Sequence, residues 1–285
     1  MEESSSETME TWDLPNWSDF PNAIARIRAE FGSHTVDPGD EYEHVVSNRI
    51  LFRSQSDNEW ALKTTLERTT VERISISHYL ERADFVVNEI ESSTGKNWQL
   101  PSWPEIRKEI ADSQDSMRAH LPCYDYLVYL RHHGFPSPLL DWSSSPYVAA
   151  YFAMQQSYDA EHSSVFAYIE SPEGGKSLCG SEPMITLRGP HVTTHTRHFA
   201  QKASYTTATR WDKEKKQHYF CSHHSVKTHP VDLQDVFIKI TIPRSDRILA
   251  LRELEDYNIN HYTLFQTEDA LVRALGLRAF DLEVK

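Results

Sequence analysis

Residues His132 to Ala153, HHGFPSPLLDWSSSPYVAAYFA, constrain this chain more than any other stretch. Pro136 and Pro138 forbid helix on either side of Ser137 and hold the backbone extended. Leu139 and Leu140 then form a short apolar run. Ser145 is a good N-cap, and Pro146 suits the first helical position, where a missing N–H costs nothing. Val148, Tyr151, Phe152 and Gln155 recur at helical spacing, with Ala149, Ala150 and Ala153 small enough for close packing. The stretch therefore predicts an extended strand, a serine turn and a buried helix. A helix start behind serines offers free N–H donors at the positive end of a dipole, which suits a phosphate or a sugar hydroxyl. The simpler account is a capped core helix with ordinary serines.

With 285 residues the chain is long enough to bury a real core, and aromatics at 11% support a packed globule over a disordered chain. Against 42 acidic residues stand 29 Lys and Arg, a formal net charge of -13. That balance argues against nucleic-acid or membrane binding through bulk charge, leaves room for a local basic groove, and favours a basic partner protein. Cys123, Cys179 and Cys221 are odd in number and far apart, which predicts no disulfide framework and a reducing compartment. There is no basic start followed by an apolar run and no apolar stretch of spanning length, so a cytoplasmic protein with no membrane partner is expected.

Along the chain, residues 1–11 are acidic and serine-rich and read as a disordered tail. Residues 12–47 read as an N-terminal helical arm, with Trp12, Leu14, Trp17 and Phe20 as anchors, a helix over Pro21–Phe31 and a loop over His34–Glu43. The main domain is expected at 48–285. It opens with a strand at Asn48–Arg53 and a polar turn at Ser54–Trp60. Helices are expected at Ile74–Ile90, Pro104–Ala119 and Tyr124–His132. After the central stretch come a strand at Ser164–Glu170, irregular chain over Ser171–Thr196 and an exposed hydrophilic insertion over Arg210–His229. Val236–Ile242 alternates as a strand, and Arg247–Leu251 and Tyr262–Phe265 read as short strands. A short helix is expected at Arg252–Asn258, and Thr267 caps a closing helix through Leu275.

Four separated blocks fall in the order of a known family. Phe52-Arg53-Ser54 is followed by Gln55, Ser56 and Trp60, with Leu62 and Arg68 downstream. The second block is His133, Gly134, Leu139, Leu140, Asp141, Trp142, Ser143, Pro146, Ala149, Phe152 and Ala153. Arg197, Gln201, Tyr205 and Thr206 make the third, and Leu264, Phe265 and Asp269 the last. From about Asn48 to Leu275 the chain resembles the FRG domain, named for a Phe-Arg-Gly motif. It departs from that pattern at Ser54, where the family has glycine, and at Pro138, where arginine is frequent.

The order of parts is in turn similar to ADP-ribosyltransferases. The resemblance implies an α+β fold with an ADP-ribosyltransferase-like split β-sheet core and helical additions. It implies NAD as substrate, no metal, and transfer of ADP-ribose to RNA, DNA or protein. A toxin in a bacterial toxin–antitoxin or anti-phage system, with an antitoxin protein as partner, fits that reading. Arg53 would then grip a phosphate or ribose of NAD, since its planar donor fork suits either. Ser143 and Ser144 would support the nicotinamide-ribose pocket. Gln55, His133, Trp142, Tyr151 and Gln201 would complete the binding site, and Glu268 or Asp269 would be the catalytic acid. Breaking an N-glycosidic bond passes through an oxocarbenium-like state, and one aligned carboxylate is worth roughly 3–4 kcal/mol there.

Each residue also has a plainer explanation. Arg53 could be an ion-pair arginine, Asp141 and Trp142 a turn acid and a core aromatic, His133 a turn histidine, and Gln201 a loop-bonding amide. Acids such as Glu268 and Asp269 are favoured in any first helical turn. His218, Cys221, His223, His224 and His229 match no usual zinc spacing. Arg210, Trp211, Lys213, Lys215, Lys216 and Tyr219 combine charge with stacking surface and are the best nucleic-acid candidate. No serine sits in a Gly-x-Ser-x-Gly elbow. The alternatives to a transferase are an NAD glycohydrolase and a non-catalytic module that binds a nucleotide or a partner.

Overall fold

The computed structural model describes residues 9–36, 44–70, 72–112, 119–172, 182–189, 196–226 and 235–282. The N-terminal region gives β1 (Glu10–Asp13) and α1 (Phe20–Phe31), then a hairpin of β2 (Ser33–Val36) and β3 (His44–Ser47). The loop expected from His34 is therefore strand as far as Val36, and 37–43 lie outside the described residues. The arm anchors on the body. Trp17 and Phe20 are buried and stacked at 4.9 Å, and Trp17 Nε1 donates to Glu253 Oε2 at 2.6 Å.

β4 (Ile50–Gln55) runs past Arg53, so the polar turn begins after Gln55. Ser54 pairs with Val165 in regular strand, and no positive φ falls at this departure from the family glycine. α2 (Thr65–Thr69) starts on a capping box between Thr64 and Glu67. The helix expected over Ile74–Ile90 is two, α3 (Ile76–Phe85) and α4 (Val87–Thr94). The break is at Val86, whose N–H bonds Asp84 O in place of the carbonyl four residues back. α5 (Trp103–Asp112) and α6 (Tyr124–His132) follow, with the expected continuation of α5 over 113–118 outside the described residues.

The central stretch folds as its sequence demands: β5 (Leu140–Ser143), a serine turn, then α7 (Pro146–Met154) with Ser145 Oγ accepting from Val148 N–H. β6 (His162–Glu170) comes next. β7 (Met184–Arg188) lies in the segment expected to be irregular. Past α8 (Thr196–Ala200), the ten-residue β8 (Ala203–Asp212) runs into the expected insertion and pairs there with β9 (Gln217–Phe220). β8 escaped notice because Ser204, Thr206, Thr207 and Thr209 are polar yet buried. Between two partner strands their backbones are satisfied, and β-branched threonine fits the pleat.

β10 (Asp235–Pro243) is the expected alternating strand. Both short strands expected after it are helical. Arg247–Leu251 belongs to α9 (Arg247–Asp256), which buries Ala250, Leu251 and Leu254. Tyr262–Phe265 lies in α10 (His261–Phe265), started by a capping box between Asn260 and Thr263 and stopped by Gln266 at φ 55°. Thr267 caps α11 (Glu268–Leu277) as expected.

Among the described residues, eight strands join in one mixed sheet, ordered β1-β10-β6-β4-β5-β8-β7, with β9 beside β8. Only the β1–β10 pair is parallel. Period-two alternation sends Val165, Ala167 and Ile169 of β6 to a core under α1, α7 and α9. Phe166 and Tyr168 face a second core with Leu51, Trp142 and Phe237. A third core joins α3 and α6 to Ala203 and Tyr205 of β8. The chain is thus α+β with a mixed sheet. One boundary in the sheet is thin: β4 and β5 share a single Cα pair, Phe52 with Ser143. No helix among the described residues is long and apolar enough to cross a membrane.

Candidate functional site

A pocket of about 330 Å³ sits where β4 meets β5, within the usual range of ligand sites of roughly 300–1,000 Å³. β4 supplies Phe52, Arg53 and Ser54, and β5 supplies Asp141, Trp142 and Ser143. Arg131 and His132 enter from the last turn of α6, Phe152 from α7 and Arg197 from α8. Gln201, Tyr205 and Phe265 close it.

Three of these residues are arginines. Arg131 is committed: its Nε and Nη2 close on Asp141 Oδ1 and Oδ2 at 3.1 and 2.6 Å, the bidentate geometry that suits a planar fork. Arg53 Nη1 donates to the backbone oxygen of the same Asp141 at 2.7 Å, a side-chain link across the thin boundary. Burial pulls the Arg53 pKa down to about 10, opposed by the Asp141 charge, so the side chain stays cationic at neutral pH. Arg53 Nε is buried with no hydrogen-bond partner. Arg197 is alike: its guanidinium lies over the Phe265 ring at 5.2 Å, and its buried Nε has no partner. Arg53 and Arg197 thus bring two cationic groups, each with an unpaired buried Nε, to the wall of one pocket.

Polar groups tie the walls together. Ser143 Oγ donates to Gln201 O at 2.7 Å and accepts from Ser145 N–H at 3.0 Å, holding the α8 end against the start of α7. Gln201 Nε2 donates to Leu264 O at 3.2 Å. The buried Tyr205 hydroxyl lies 2.8 Å from His132 Nε2 and 3.4 Å from His198 Nδ1. Burial, then the Asp141 charge, push its phenol pKa far up, so it stays a neutral hydrogen-bonding group.

Of the residues expected from sequence, the structure brings Arg53, Trp142, Ser143 and Gln201 to this pocket. Trp142 contributes little ring face. It is 3% exposed, its Nε1 donates to Thr206 Oγ1 at 2.8 Å, and the indole packs on Tyr168 and Phe237. The others lie elsewhere. Gln55 is buried with Nε2 on Ala61 O. His133 packs against Tyr129, and its neighbour His132 takes the place in the wall. Ser144 is exposed, with its N–H on Lys202 O. Tyr151 is buried in the core beneath α7.

Glu268 and Asp269 are exposed in the first turn of α11 and are not part of the pocket wall. Phe265 does line it, and three residues of chain hold the Glu268 Cα within ~11 Å of the Phe265 Cα. Sequence reasoning missed Arg131, His132 and the site role of Asp141. The available signal was the Arg131-His132-His133 run entering the central stretch.

The remaining candidates lie apart from this wall. His223 Nε2 bonds Thr206 Oγ1 at 2.9 Å, and His224 Nε2 accepts from Leu62 N–H at 3.1 Å. His229 and Cys179 fall outside the described residues. The Lys213–Lys216 run is the tip of the β8–β9 hairpin, where Asp212 Oδ1 accepts from the Glu214 and Lys215 N–H groups and the Lys215 ammonium lies over Tyr219.

No curated protein and no solved structure matches the chain. The family model for the FRG domain matches residues 48–162. That range holds Arg53, Arg131, Asp141 and Ser143 and stops before Arg197, Gln201 and α11. Residues 48–162, which include β4, β5 and their side of the pocket, are thus similar to the FRG domain.

Proposed function

We propose that the pocket binds NAD and that the protein transfers ADP-ribose from it to a macromolecular acceptor, releasing nicotinamide. The observation that carries this reading is the pair of buried, orphaned guanidinium nitrogens on Arg53 and Arg197 in one pocket. With Arg131 balanced by Asp141, these two leave the site two positive charges, which matches the two negative charges of a diphosphate. Phe152 and Phe265 meet edge-on at 5.9 Å beside them and offer apolar surface to a nicotinamide or adenine ring. A sheet that parts at β4–β5, with the pocket at the parting, is what an ADP-ribosyltransferase-like core would need. The local cations explain how a chain of net charge -13 could hold a dinucleotide.

The acceptor in this reading is a protein or a nucleic acid, with the Lys213–Lys216 hairpin tip as its basic contact. A toxin held in check by an antitoxin protein is the cellular role that fits. One observation favours a second reading. Glu268 and Asp269 lie outside the wall, as they would in a non-catalytic nucleotide-binding module.

The test is nicotinamide release from NAD by the purified chain, alone and with total RNA or cell lysate, beside NAD binding by calorimetry. Release that needs an acceptor and disappears in Arg197→Ala supports the transferase. Release in buffer alone identifies a glycohydrolase that uses water. Binding without release identifies the module, and neither binding nor release removes NAD from consideration.

A further inference from the structure

The transferase reading needs a carboxylate at the reacting ribose, and neither expected acid lines the pocket. We infer that Asp141 is that carboxylate, an assignment that rests on the NAD reading. Asp141 is the sole acid among the lining residues described, and its side chain stays 39% exposed while Arg131 beside it is 17% exposed. The carboxylate of this lining residue therefore keeps accessible surface after the salt bridge is made.

The Arg131 fork takes one lone-pair direction on each oxygen, and a carboxylate offers about four acceptor positions. The remaining positions can accept from ribose hydroxyls. Asp141 also fixes the geometry of the anion grip, because its own backbone oxygen holds Arg53 Nη1 at 2.7 Å. Acid and anion-binding arginine are thus positioned by one residue on a short strand. Exposed side chains in the first turn of α11 have no such second anchor.

The step balances without a metal or redox partner. The ribose C1′–nicotinamide nitrogen bond breaks, and its electron pair leaves on nicotinamide, which becomes neutral. Positive charge develops across C1′ and the ring oxygen, where the carboxylate stabilises it through the ribose hydroxyl and through space. An acceptor oxygen forms the new bond to C1′ and its proton passes to solvent.

The experiment compares Asp141→Asn, Asp141→Glu and the double variant Glu268→Gln/Asp269→Asn with the wild-type chain. It measures nicotinamide release, NAD affinity and the melting curve of each. Asp141→Asn keeps size and the backbone bond to Arg53. It is expected to bind NAD within a few-fold of wild type and to lose release by ~100-fold or more. Asp141→Glu keeps the charge and can still pair with Arg131, yet moves the carboxylate by one methylene. It is expected to lose release by about 100-fold with an unchanged melt, and it decides the matter if Asp141→Asn does not fold. The double variant is expected to stay within about three-fold. Full release by the folded Asp141 variants, or loss of release in the double variant, overturns the assignment alone. No release by the wild-type chain in any mixture overturns the transferase reading and this assignment together.

Discussion

Arg53 and Asp141 meet across the sheet boundary through a guanidinium–carbonyl hydrogen bond of 2.7 Å, and Asp141 is also the residue that pins Arg131. Arg53→Ala removes both the link and an orphaned donor. It is expected to cost about 1.5–3 kcal/mol of stability, the worth of a hydrogen bond to a charged group, and to abolish NAD binding. Arg53→Lys keeps the charge without the fork. It should melt closer to wild type and still bind NAD about 10-fold more weakly. Calorimetry and a thermal melt on the same samples check both.

Arg244 is a buried staple. Its Nη1 and Nη2 donate to Ser56 O, Ala153 O, Gln156 O and Ser163 Oγ, gathering the end of α7 onto the strand edge. Arg244→Met fills the space but removes the guanidinium from Gln156 O and leaves Ser56 O and Ala153 O to share the Ser163 hydroxyl. The expected loss is about 3 kcal/mol in urea unfolding.

His223 sets an acid limit on the fold. Burial first, then the Arg53 charge, lower its pKa from 6.5 to about 3. Thr206 Oγ1 accepts from Trp142 Nε1–H and lies 2.9 Å from His223 Nε2. The folded pKa is below the unfolded one, so the unfolded chain binds the extra proton. Stability from this residue is complete above pH 6.5 and declines as pH falls toward about 3, with a slope of up to ~1.4 kcal/mol per pH unit. The difference in melting temperature between pH 7 and pH 5 should shrink in His223→Asn.

Trp17 binds the N-terminal region to α9, with its backbone N–H on Asp246 Oδ2 at 2.8 Å and its indole on Glu253. Trp17→Phe preserves an aromatic to stack on Phe20 and takes the indole donor from Glu253 Oε2, while Oε1 keeps the Tyr257 hydroxyl. A loss of about 1.5–3 kcal/mol is expected, read from the urea midpoint.

Local signals were legible where one element carried its own instructions. Ser145-Pro146 gave the start of α7, Thr267 gave α11, and alternation gave β10. β8 was not legible, because threonine and serine reveal burial only when strands on both sides satisfy them. α10 hid in five residues whose start depends on the Asn260–Thr263 box. At the site, Arg53, Ser143 and Gln201 came from motif resemblance. Asp141 passed for a turn acid because its meaning lies in Arg131, ten residues away on another element. Arg197 was in view as a motif residue, but its orphaned Nε exists only once α8 is folded against Phe265.

The single Cα pair between β4 and β5 makes this sheet two panels hung on one rung. One panel carries β1, β10, β6 and β4, and the other carries β5, β8, β7 and β9. Whatever fills the pocket rests on Phe52 and Arg53 of the first panel and on Asp141, Ser143 and Tyr205 of the second. Its occupant is therefore also a fastener between them. At a hundred times its dissociation constant, such a fastener adds about 2.7 kcal/mol to the folded state. On the proposal that the occupant is NAD, dinucleotide concentration would then set how firmly the two panels are held together.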